Sequence, residues 1–414
     1  MQGGTVAVVG GSIAGCAFAS AAARAGADEV VVLERTRGRL ADRGLGLCVH
    51  DERAAELAAT GALPAGIAAH RLTRRRWVVR DDAAGPDGRT FWEQPFPFHS
   101  YHWGLLWRGL REATPASVVY RQGVTVTGAA AVGDRAELRL ADGVAEQYDL
   151  AVGADGYRSV VRETVCRTSR PEYAGYVCWR GNFDARRLAE TGGTGFPGDA
   201  VTTVCFPGGS CVIYRIPGPD GPRVNWVLYA MPPQTGRLRL DDPTSFPPGQ
   251  VTAELAGALA ELLDRRFPPY WARVIALTDA EHTYVQPIYD LESAHTTAGR
   301  FLLAGDAAVV ARPHTTSGAA KALQDASAFE AAWRAAACWD ELLNAYRTAR
   351  ATAGRELVAL ARRLGRAQVE RTPAWAAMNA RQAQAWWQDQ LAEAADIGGQ
   401  SMTAPRPHVR SSRD

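Results

Sequence analysis

The N-terminal stretch that decides the fold reads Thr5-Val6-Ala7-Val8-Val9-Gly10-Gly11-Ser12-Ile13-Ala14-Gly15. Its first five residues are apolar or β-branched, which is typical of a buried parallel strand that leads into a glycine turn. Residues 16–25 are rich in alanine and predict a helix that ends at Gly26. Residues 30–33 predict a second apolar strand, and Glu34 follows it.

The order of strand, glycine turn, helix, strand and acid predicts a complete dinucleotide-binding unit. Gly10 allows the tight turn, the helix start offers unpaired N–H groups to a pyrophosphate, and Glu34 can accept hydrogen bonds from a ribose. Ser12 replaces the middle glycine of the usual pattern, and its backbone is less free than that of glycine. An incidental turn is the alternative, but the presence of all the parts in order favours a nucleotide site.

The composition limits the class of protein. A chain of 414 residues predicts two or three domains, and 47% hydrophobic with 22% charged residues is typical of a soluble globular protein. A net charge of +2 gives no reason to expect nucleic acid or an acidic membrane as a partner, and we see neither a membrane span nor a secretory leader. Seven scattered cysteines favour free thiols in a reducing cytoplasm over disulfides or a metal site. Lys321 is the only lysine, which we attribute to compositional bias.

Two later segments repeat the arrangement of a buried strand followed by a glycine turn. Residues 149–152 predict a strand that leads into Gly153-Ala154-Asp155-Gly156 and then into a helix start. Residues 301–303 predict another strand, followed by Ala304-Gly305-Asp306-Ala307-Ala308 and by a long helix from about Ser317. Asp155 and Asp306 could each bind a ligand hydroxyl or cap nearby backbone N–H groups, and neither motif alone decides between these roles.

Together these three turns resemble those of the single-component FAD-dependent aromatic hydroxylases, the family of para-hydroxybenzoate hydroxylase. The resemblance extends to about Arg347. In that family the first turn holds the ADP half of FAD, the second is tied to FAD and to reduced nicotinamide, and the third contacts the ribityl chain. Carried over by position, the resemblance implies a set of FAD-binding residues: Gly10, Ser12, Ile13, Ala14, Gly15, Glu34, Arg35, Arg43, Trp103, Val124, Asp155, Gly156, Gly305, Asp306, Pro313 and Gly318.

The chain is also similar to the 2,6-dihydroxypyridine hydroxylase branch of that family. Three segments carry the likeness: Tyr176-Val177-Cys178-Trp179-Arg180-Gly181, Arg223-Val224-Asn225-Trp226-Val227 and Arg312-Pro313-His314-Thr315. Trp103 stands where most members place Arg or Gln beside the flavin. Val309 and Thr315 replace a histidine and a glycine of the wider family, which leaves the contacts to the flavin ring open.

The resemblance implies an α/β fold in which a Rossmann-like FAD-binding domain, a parallel sheet with helices, is interleaved with a substrate domain built on a mixed or antiparallel sheet. The FAD-binding domain is predicted to comprise residues 1–72, 98–168 and 281–345, and the substrate domain residues 73–97 and 169–280. C-terminal helices are predicted over 346–398 and a disordered tail over 399–414. Trp386 and Trp387 are expected to pack against a helix or at a dimer contact.

Residues 201–206, 210–216 and 223–231 predict antiparallel strands of the substrate sheet. Strand alternation places Tyr214 and Ile213 on opposite faces. By family position Tyr214, Asn225 and His50 are candidates for binding substrate, although a Tyr214 packed in a core fits the sequence nearly as well. His314 follows Pro313 beside the expected flavin ring and is the candidate for contacting or deprotonating the substrate; a structural role is the alternative for a lone histidine.

The predicted function is that of an FAD-dependent monooxygenase that uses NADH or NADPH and O2 to hydroxylate a small electron-rich aromatic or N-heterocyclic ring, such as a hydroxypyridine or a phenol. The resemblance implies that reduced nicotinamide reduces FAD and that oxygen added at the flavin C4a position goes to the ring. Tailoring of a larger natural-product scaffold, by epoxidation, oxidative decarboxylation or Baeyer–Villiger insertion, is the alternative. A non-catalytic flavin-binding module, a halogenase and a nicotinamide-only dehydrogenase are further alternatives. No metal is expected, and a homodimer is one option for assembly.

Overall fold

The computed structural model describes residues 3–38, 40, 45–192, 195–234, 238, 240, 249–392, 396–397 and 400–401. Within these residues a π-helix, Arg366–Glu370, directly continues the longest α-helix. The α-helices are α1 (Ile13–Ala25), α2 (Asp51–Ala59), α3 (Trp103–Glu112), α4 (Val160–Val165), α5 (Ala253–Arg266), α6 (Pro269–Ala276), α7 (Gly318–Ala335), α8 (Trp339–Gly365) and α9 (Ala380–Leu391). In the part of the chain that the structure describes, no helix combines the length and apolar character needed to cross a membrane.

A six-stranded sheet contains the N-terminal motif. Its strands, in spatial order, are β16 (Thr297–Ala298), β17 (Phe301–Leu303), β10 (Leu150–Gly153), β1 (Thr5–Val9), β2 (Glu29–Glu34) and β6 (Val118–Gln122). All are parallel except β16, which pairs antiparallel at one edge. Val8 packs on one face with α1 and α7, and Val9 on the other face with α4. Because both faces are covered, residues 6–9 of this strand are all apolar instead of alternating with polar residues.

A nine-stranded sheet forms the second layer. Its spatial order is β18 (Val309–Val310), β15 (Tyr284–Glu292), β11 (Glu172–Asp184), β14 (Arg223–Ala230), β13 (Gly209–Ile216), β12 (Ala200–Phe206), β4 (His70–Val79), β5 (Arg89–His102) and β3 (Gly46–His50). Neighbouring strands are antiparallel apart from the parallel pair β12 and β4. One face packs against α5 and α6 and buries Ile213, whereas Tyr214 lies on the opposite face, as alternation predicts.

The remaining strands form two small sheets, β7 (Val126–Val132), β8 (Arg135–Leu140) and β9 (Ala145–Tyr148) in one and β19 (Asp396–Ile397) with β20 (Gln400–Ser401) in the other. The predicted α/β fold, with a parallel sheet, an interleaved mixed sheet and C-terminal helices, is confirmed. The domain boundaries stay a prediction, and the one at 345/346 falls inside α8. Apart from Gln400 and Ser401, the predicted disordered tail lies outside the described residues.

The C-terminal helices are attached to the mixed sheet by an aromatic cluster. Trp387 of α9 lies 5.5 Å, centroid to centroid, from Trp77 of β4, and Trp386 lies 4.9 Å from Trp375. Trp77 also stacks on Trp92 of β5 at 5.5 Å. Trp386 and Trp387 therefore pack within the chain, against the outer strands of the mixed sheet.

Candidate active site

The carboxyl ends of the parallel strands meet at one edge of the six-stranded sheet. The turns that follow them are joined by backbone hydrogen bonds, from Ala154 N–H to Val9 O at 2.8 Å and from Ala304 N–H to Gly153 O at 2.9 Å. The N–H of Gly10 also donates to Leu33 O at 2.8 Å. The three motifs, which are far apart in sequence, therefore lie side by side.

The backbone of the first turn requires glycine at two of its three usual positions. Gly10 has φ +98°, and a Cβ there would lie 2.4 Å from Ala154 O. A Cβ at Gly15 would lie 1.8 Å from Gly10 O. Ser12 has φ −79° at the N-cap of α1, a conformation that any residue adopts, so its replacement of glycine causes no strain. Its side chain makes no cap hydrogen bond, which leaves the first N–H groups of α1 free to bind an anion.

Side chains fix the Gly11 peptide from both sides. Its N–H donates to Glu34 Oε2 at 2.7 Å, and its carbonyl oxygen accepts from Trp107 Nε1 and Tyr120 OH, each at 2.8 Å. Glu34 is buried, and its Oε1 accepts from the Thr36 N–H at 2.8 Å. Sequence reasoning found Glu34 but missed Trp107 and Tyr120. The available signal was chemical, because a buried indole N–H or phenol needs a hydrogen-bond partner.

The second turn combines capping with an unpaired acceptor. Asp155 Oδ2 accepts from Val160 N–H at 2.7 Å, and Ser159 Oγ accepts from Arg162 N–H at 2.9 Å, so both residues cap α4. The other oxygen of Asp155, Oδ1, is buried without a hydrogen-bond partner, and burial raises the pKa of this carboxyl group. The Arg162 guanidinium donates to Ala307 O at 3.0 Å and so connects the second turn to the third.

The third turn is held by a buried ionic network. Lys321 Nζ donates to Gly305 O at 3.1 Å and to Asp325 Oδ2 at 2.6 Å, and the Gly305 N–H donates to the same carboxylate at 3.2 Å. Arg350 Nε donates to the second oxygen of Asp325 at 2.7 Å. Lys321 and Asp325 are only 5% and 1% exposed. The single lysine therefore has a defined structural function, which composition alone did not reveal.

Asp306 lies in this third turn and keeps an exposed surface. The surrounding protein atoms raise the pKa of its carboxyl group by desolvation, while the positive charge of Lys321 acts in the opposite direction.

The other predicted FAD-binding residues lie next to these turns where the structure describes them. Near the first turn, Ile13 and Ala14 begin α1, exposed Arg35 follows Glu34, and the Val124 N–H donates to Glu34 O at 3.0 Å. Trp103 begins α3, and Gly156 directly follows Asp155 in the second turn. Beyond the third turn, Pro313 opens a short 3₁₀ turn and Gly318 begins α7. Arg43 lies outside the described residues.

His314 connects the third turn to the mixed sheet. Its ring lies 4.3 Å, centroid to centroid, from Tyr229 of β14, and its Nε2 is 2.8 Å from Tyr176 OH. Burial, aided by the positive charges of Arg312 and Arg75, lowers the pKa of His314 to about 3. Burial raises the pKa of Tyr176, so the phenol keeps its proton. Because this hydroxyl can either donate to Nε2 or accept from it, the neutral imidazole carries its proton on Nδ1 in the first case and on Nε2 in the second.

Tyr214 and Asn225 are paired in register on the same face as Tyr229. Asn225 Oδ1 accepts from the Gly46 N–H at 2.9 Å, and Asn225 Nδ2 is buried without a partner. Tyr214 is buried among the core residues of β3 and β5. His50 caps α2, because its Nδ1 accepts from Glu52 N–H at 3.2 Å. The structure thus brings Tyr214, Asn225 and His314 to one face and gives His50 a capping role at its edge.

A family model described as FAD binding domain-like matches residues 173–290. The chain is 30% identical over 332 residues to the 2,6-dihydroxypyridine 3-monooxygenase of Paenarthrobacter nicotinovorans, covering 78% of this chain and 80% of that protein. It belongs to the single-component FAD-dependent aromatic hydroxylases. This hydroxylase is also 30% identical over 331 residues to the 3-amino-4-hydroxybenzoate 2-monooxygenase of Streptomyces platensis, and the match covers 78% of this chain and 77% of that protein. The structure of 2,6-dihydroxypyridine-3-hydroxylase from Arthrobacter nicotinovorans matches with TM-score 0.76 and 25% identity, covering 89% and 94% of the two chains.

The site of this hydroxylase fits FAD. The uncapped start of α1 could bind the pyrophosphate and Glu34 the ADP ribose. The unpaired Oδ1 of Asp155 and the exposed Asp306 could accept hydrogen bonds from other hydroxyl groups of the cofactor. When bound, FAD supplies the redox chemistry by which the family uses NAD(P)H and O2. The protein is an FAD-dependent monooxygenase.

Proposed function

We propose that this monooxygenase hydroxylates a small aromatic or N-heterocyclic ring that already carries a hydroxyl group. The contact between His314 and Tyr229 is the observation that carries the proposal, because it joins the third turn to the polar face of the mixed sheet. A ring held on that face would lie beside the third turn, which is expected to hold part of the cofactor. The relatives named for dihydroxypyridine and for aminohydroxybenzoate support a substrate of this size.

His314 is suited to orient such a ring and not to deprotonate it. A histidine whose pKa is about 3 is a very weak base at neutral pH. Its Nε2 is bonded to Tyr176, so Nδ1 is the ring nitrogen that could bond the substrate, as a donor when the Tyr176 phenol donates to Nε2. We therefore assign His314 the role of a hydrogen-bonding group that orients the substrate.

The test is a screen of FAD-loaded protein with hydroxypyridines, hydroxybenzoates and phenols, each with NADH and with NADPH. We expect at least one ring to stimulate nicotinamide oxidation about tenfold or more and to yield a product heavier by one oxygen atom. Stimulation that yields only hydrogen peroxide for every ring contradicts the proposal. Modified products from larger fused scaffolds alone would favour the natural-product alternative.

We also propose that the protein works in a reducing cytoplasm, because its seven cysteines are all free thiols. Six of them are buried and Cys338 is exposed. Free-thiol titration of protein purified without reductant is the corresponding measurement, and a value well below seven per chain would contradict this location.

A further inference from the structure

Arg312 directly precedes the short turn Pro313–Thr315, and two carboxylates from different elements hold its guanidinium. Its Nε donates to Asp290 Oδ2 of β15 at 2.7 Å, and its Nη1 donates to Glu370 Oε1 of the π-helix at 2.9 Å. The side chain of Arg312 is only 11% exposed. Asp290 is itself buried, and its other oxygen accepts from Arg362 Nη2 at 2.6 Å. The Arg312 guanidinium therefore has little freedom to turn.

The same guanidinium lies beside the Tyr176 hydroxyl. Its Cζ is 5.6 Å from the ring centroid of Tyr176, and a Cβ at Gly365 would lie 2.6 Å from the Tyr176 hydroxyl and 3.1 Å from Arg312 Nη1. Burial raises the pKa of Tyr176, while the positive charge of Arg312 and a side-chain hydrogen bond from it act in the opposite direction. A guanidinium has donors and no acceptor, so it attracts the phenol oxygen and turns the hydroxyl hydrogen away.

The hydroxyl hydrogen of Tyr176 then needs an acceptor, because this side chain is fully buried. Among the residues that the structure describes, the acceptor within reach is His314 Nε2, 2.8 Å from the hydroxyl oxygen. Donation to Nε2 places the proton of the neutral imidazole on Nδ1. In the reverse arrangement Nε2–H and Arg312 both donate to the phenol oxygen, and the buried hydroxyl hydrogen lacks an acceptor, which costs free energy. The positions of the three groups therefore favour donation from Tyr176.

We infer that Arg312 is a positioning residue that acts through Tyr176 and fixes His314 as the tautomer with its proton on Nδ1. This inference deepens the proposed function and rests on it for the ligand, because an Nδ1–H requires an acceptor atom on the bound ring. His314 is only partly buried, and among the described residues its ring is hydrogen-bonded through Nε2. The keto oxygen of a pyridone or an unprotonated ring nitrogen has the lone pair that Nδ1–H requires.

The experiment is NMR of FAD-loaded protein that contains ¹⁵N-labelled histidine, recorded at neutral pH without substrate. Correlations between the ring carbon-bound protons and the ring nitrogens distinguish a protonated from an unprotonated nitrogen and so identify the tautomer. The His314 signals are assigned among those of the eight histidines by their loss in His314→Gln. We expect the Nδ1–H form to exceed the Nε2–H form by about tenfold or more in wild type, because the alternative leaves a buried donor unsatisfied.

Four variants separate positioning from general stability. Arg312→Met should reduce the excess to about threefold or less, because the phenol oxygen loses its donor, whereas Arg312→Lys keeps a positive donor and should retain most of it. Tyr176→Phe removes the group that bonds Nε2 without breaking an ion pair, and should reduce the excess even if Arg312→Met does not fold. Arg362→Met is the matched control, since it breaks the other ion pair of Asp290 and should leave the tautomer unchanged.

The inference is overturned if His314 of wild type carries its proton on Nε2, or if neither Arg312→Met nor Tyr176→Phe changes the tautomer ratio. It is also overturned if Arg362→Met changes the ratio as much as Arg312→Met does, since the network then acts only through stability. Ring hydroxylation by a wild type with its proton on Nε2 would keep the proposed function and remove this inference. An Nδ1–H tautomer in a protein that no ring stimulates would keep the positioning role of Arg312 and remove the proposed function.

Discussion

At the scale of single residues, the buried ionic network around Lys321 shows how this chain sets the shape of a cofactor turn. Gly305 adopts φ +53°, and its carbonyl and N–H groups both point to members of the network. Asp325 receives hydrogen bonds from Lys321 and Arg350, so the network contains one carboxylate and two cations. Because the alternative to each buried bond is an unsatisfied charge, the turn has little freedom to move.

We predict that Lys321→Met weakens FAD binding by about tenfold or more, because Gly305 O loses its donor and the turn that carries Asp306 relaxes. The Kd of the apoprotein for FAD, from quenching of flavin fluorescence, is the measurement. Lys321→Arg retains the charge and should recover part of the affinity. A folded Lys321→Met protein whose Kd stays within twofold of wild type would show that the lysine does not position this turn.

His314 gives a prediction for the pH dependence of stability. Burial holds its pKa in the folded protein at about 3, below the ordinary value of 6.5. The stability that follows from the neutral ring is therefore fully present above pH 6.5 and is lost as the pH falls towards 3, because only the unfolded chain takes up the proton. His314→Gln lacks this contribution. Thermal unfolding midpoints from pH 8 to pH 5 should converge for the two proteins as the pH falls; parallel curves would contradict the prediction.

Among the secondary-structure elements, those of the first forty residues could be predicted from short-range sequence patterns. The run from Thr5 to Val9, the turn at Gly10 and the acid at Glu34 each follow from short-range sequence patterns, and the structure has them in those positions. The contact of His314 with Tyr229 and the position of Trp107 at the Gly11 carbonyl depend on how distant elements pack. Such contacts leave no local periodicity in the sequence, so neither was predicted.

The junction between α8 and the π-helix is the element that sequence reasoning could not anticipate. Gly365 lies at this junction, and a Cβ there would be 2.6 Å from Tyr176 OH and 3.1 Å from the side chain of Arg312. The glycine therefore allows the helix to approach the tyrosine that fixes the His314 ring. A switch of this kind from α- to π-helical bonding is frequent at functional sites.

We predict that Gly365→Ala displaces Tyr176 and lowers ring hydroxylation at least severalfold while FAD affinity is unchanged. The fraction of NAD(P)H consumption that yields hydroxylated product is the measurement. Gly257→Ala is the matched control, since Gly257 lies within α5 with no atom near its Cβ position, and this variant should gain roughly 0.5–1 kcal/mol of stability. If both variants show the same coupling of NAD(P)H use to product, the close approach at Gly365 has no role in the site.

At the scale of the whole molecule, the C-terminal region completes the substrate side of the fold. The aromatic cluster joins α9 to β4 and β5, and through Trp77 it supports Arg75. Composition and helical spacing could predict that this region is helical and that its tryptophans pack. They could not predict that the packing partners lie about three hundred residues earlier in the chain, because that pairing depends on the tertiary arrangement of the mixed sheet.

The cluster should therefore contribute strongly to global stability. Trp375 is 2% exposed and contacts Trp77, Phe91 and Trp386, so Trp375→Ala should lower the free energy of unfolding by roughly 3–5 kcal/mol. Urea unfolding followed by circular dichroism measures this change, with the exposed Met231→Ala as a control expected to stay within about 0.5 kcal/mol of wild type. A loss below about 1 kcal/mol for Trp375→Ala would mean that the C-terminal region is only loosely attached to the sheet that it covers.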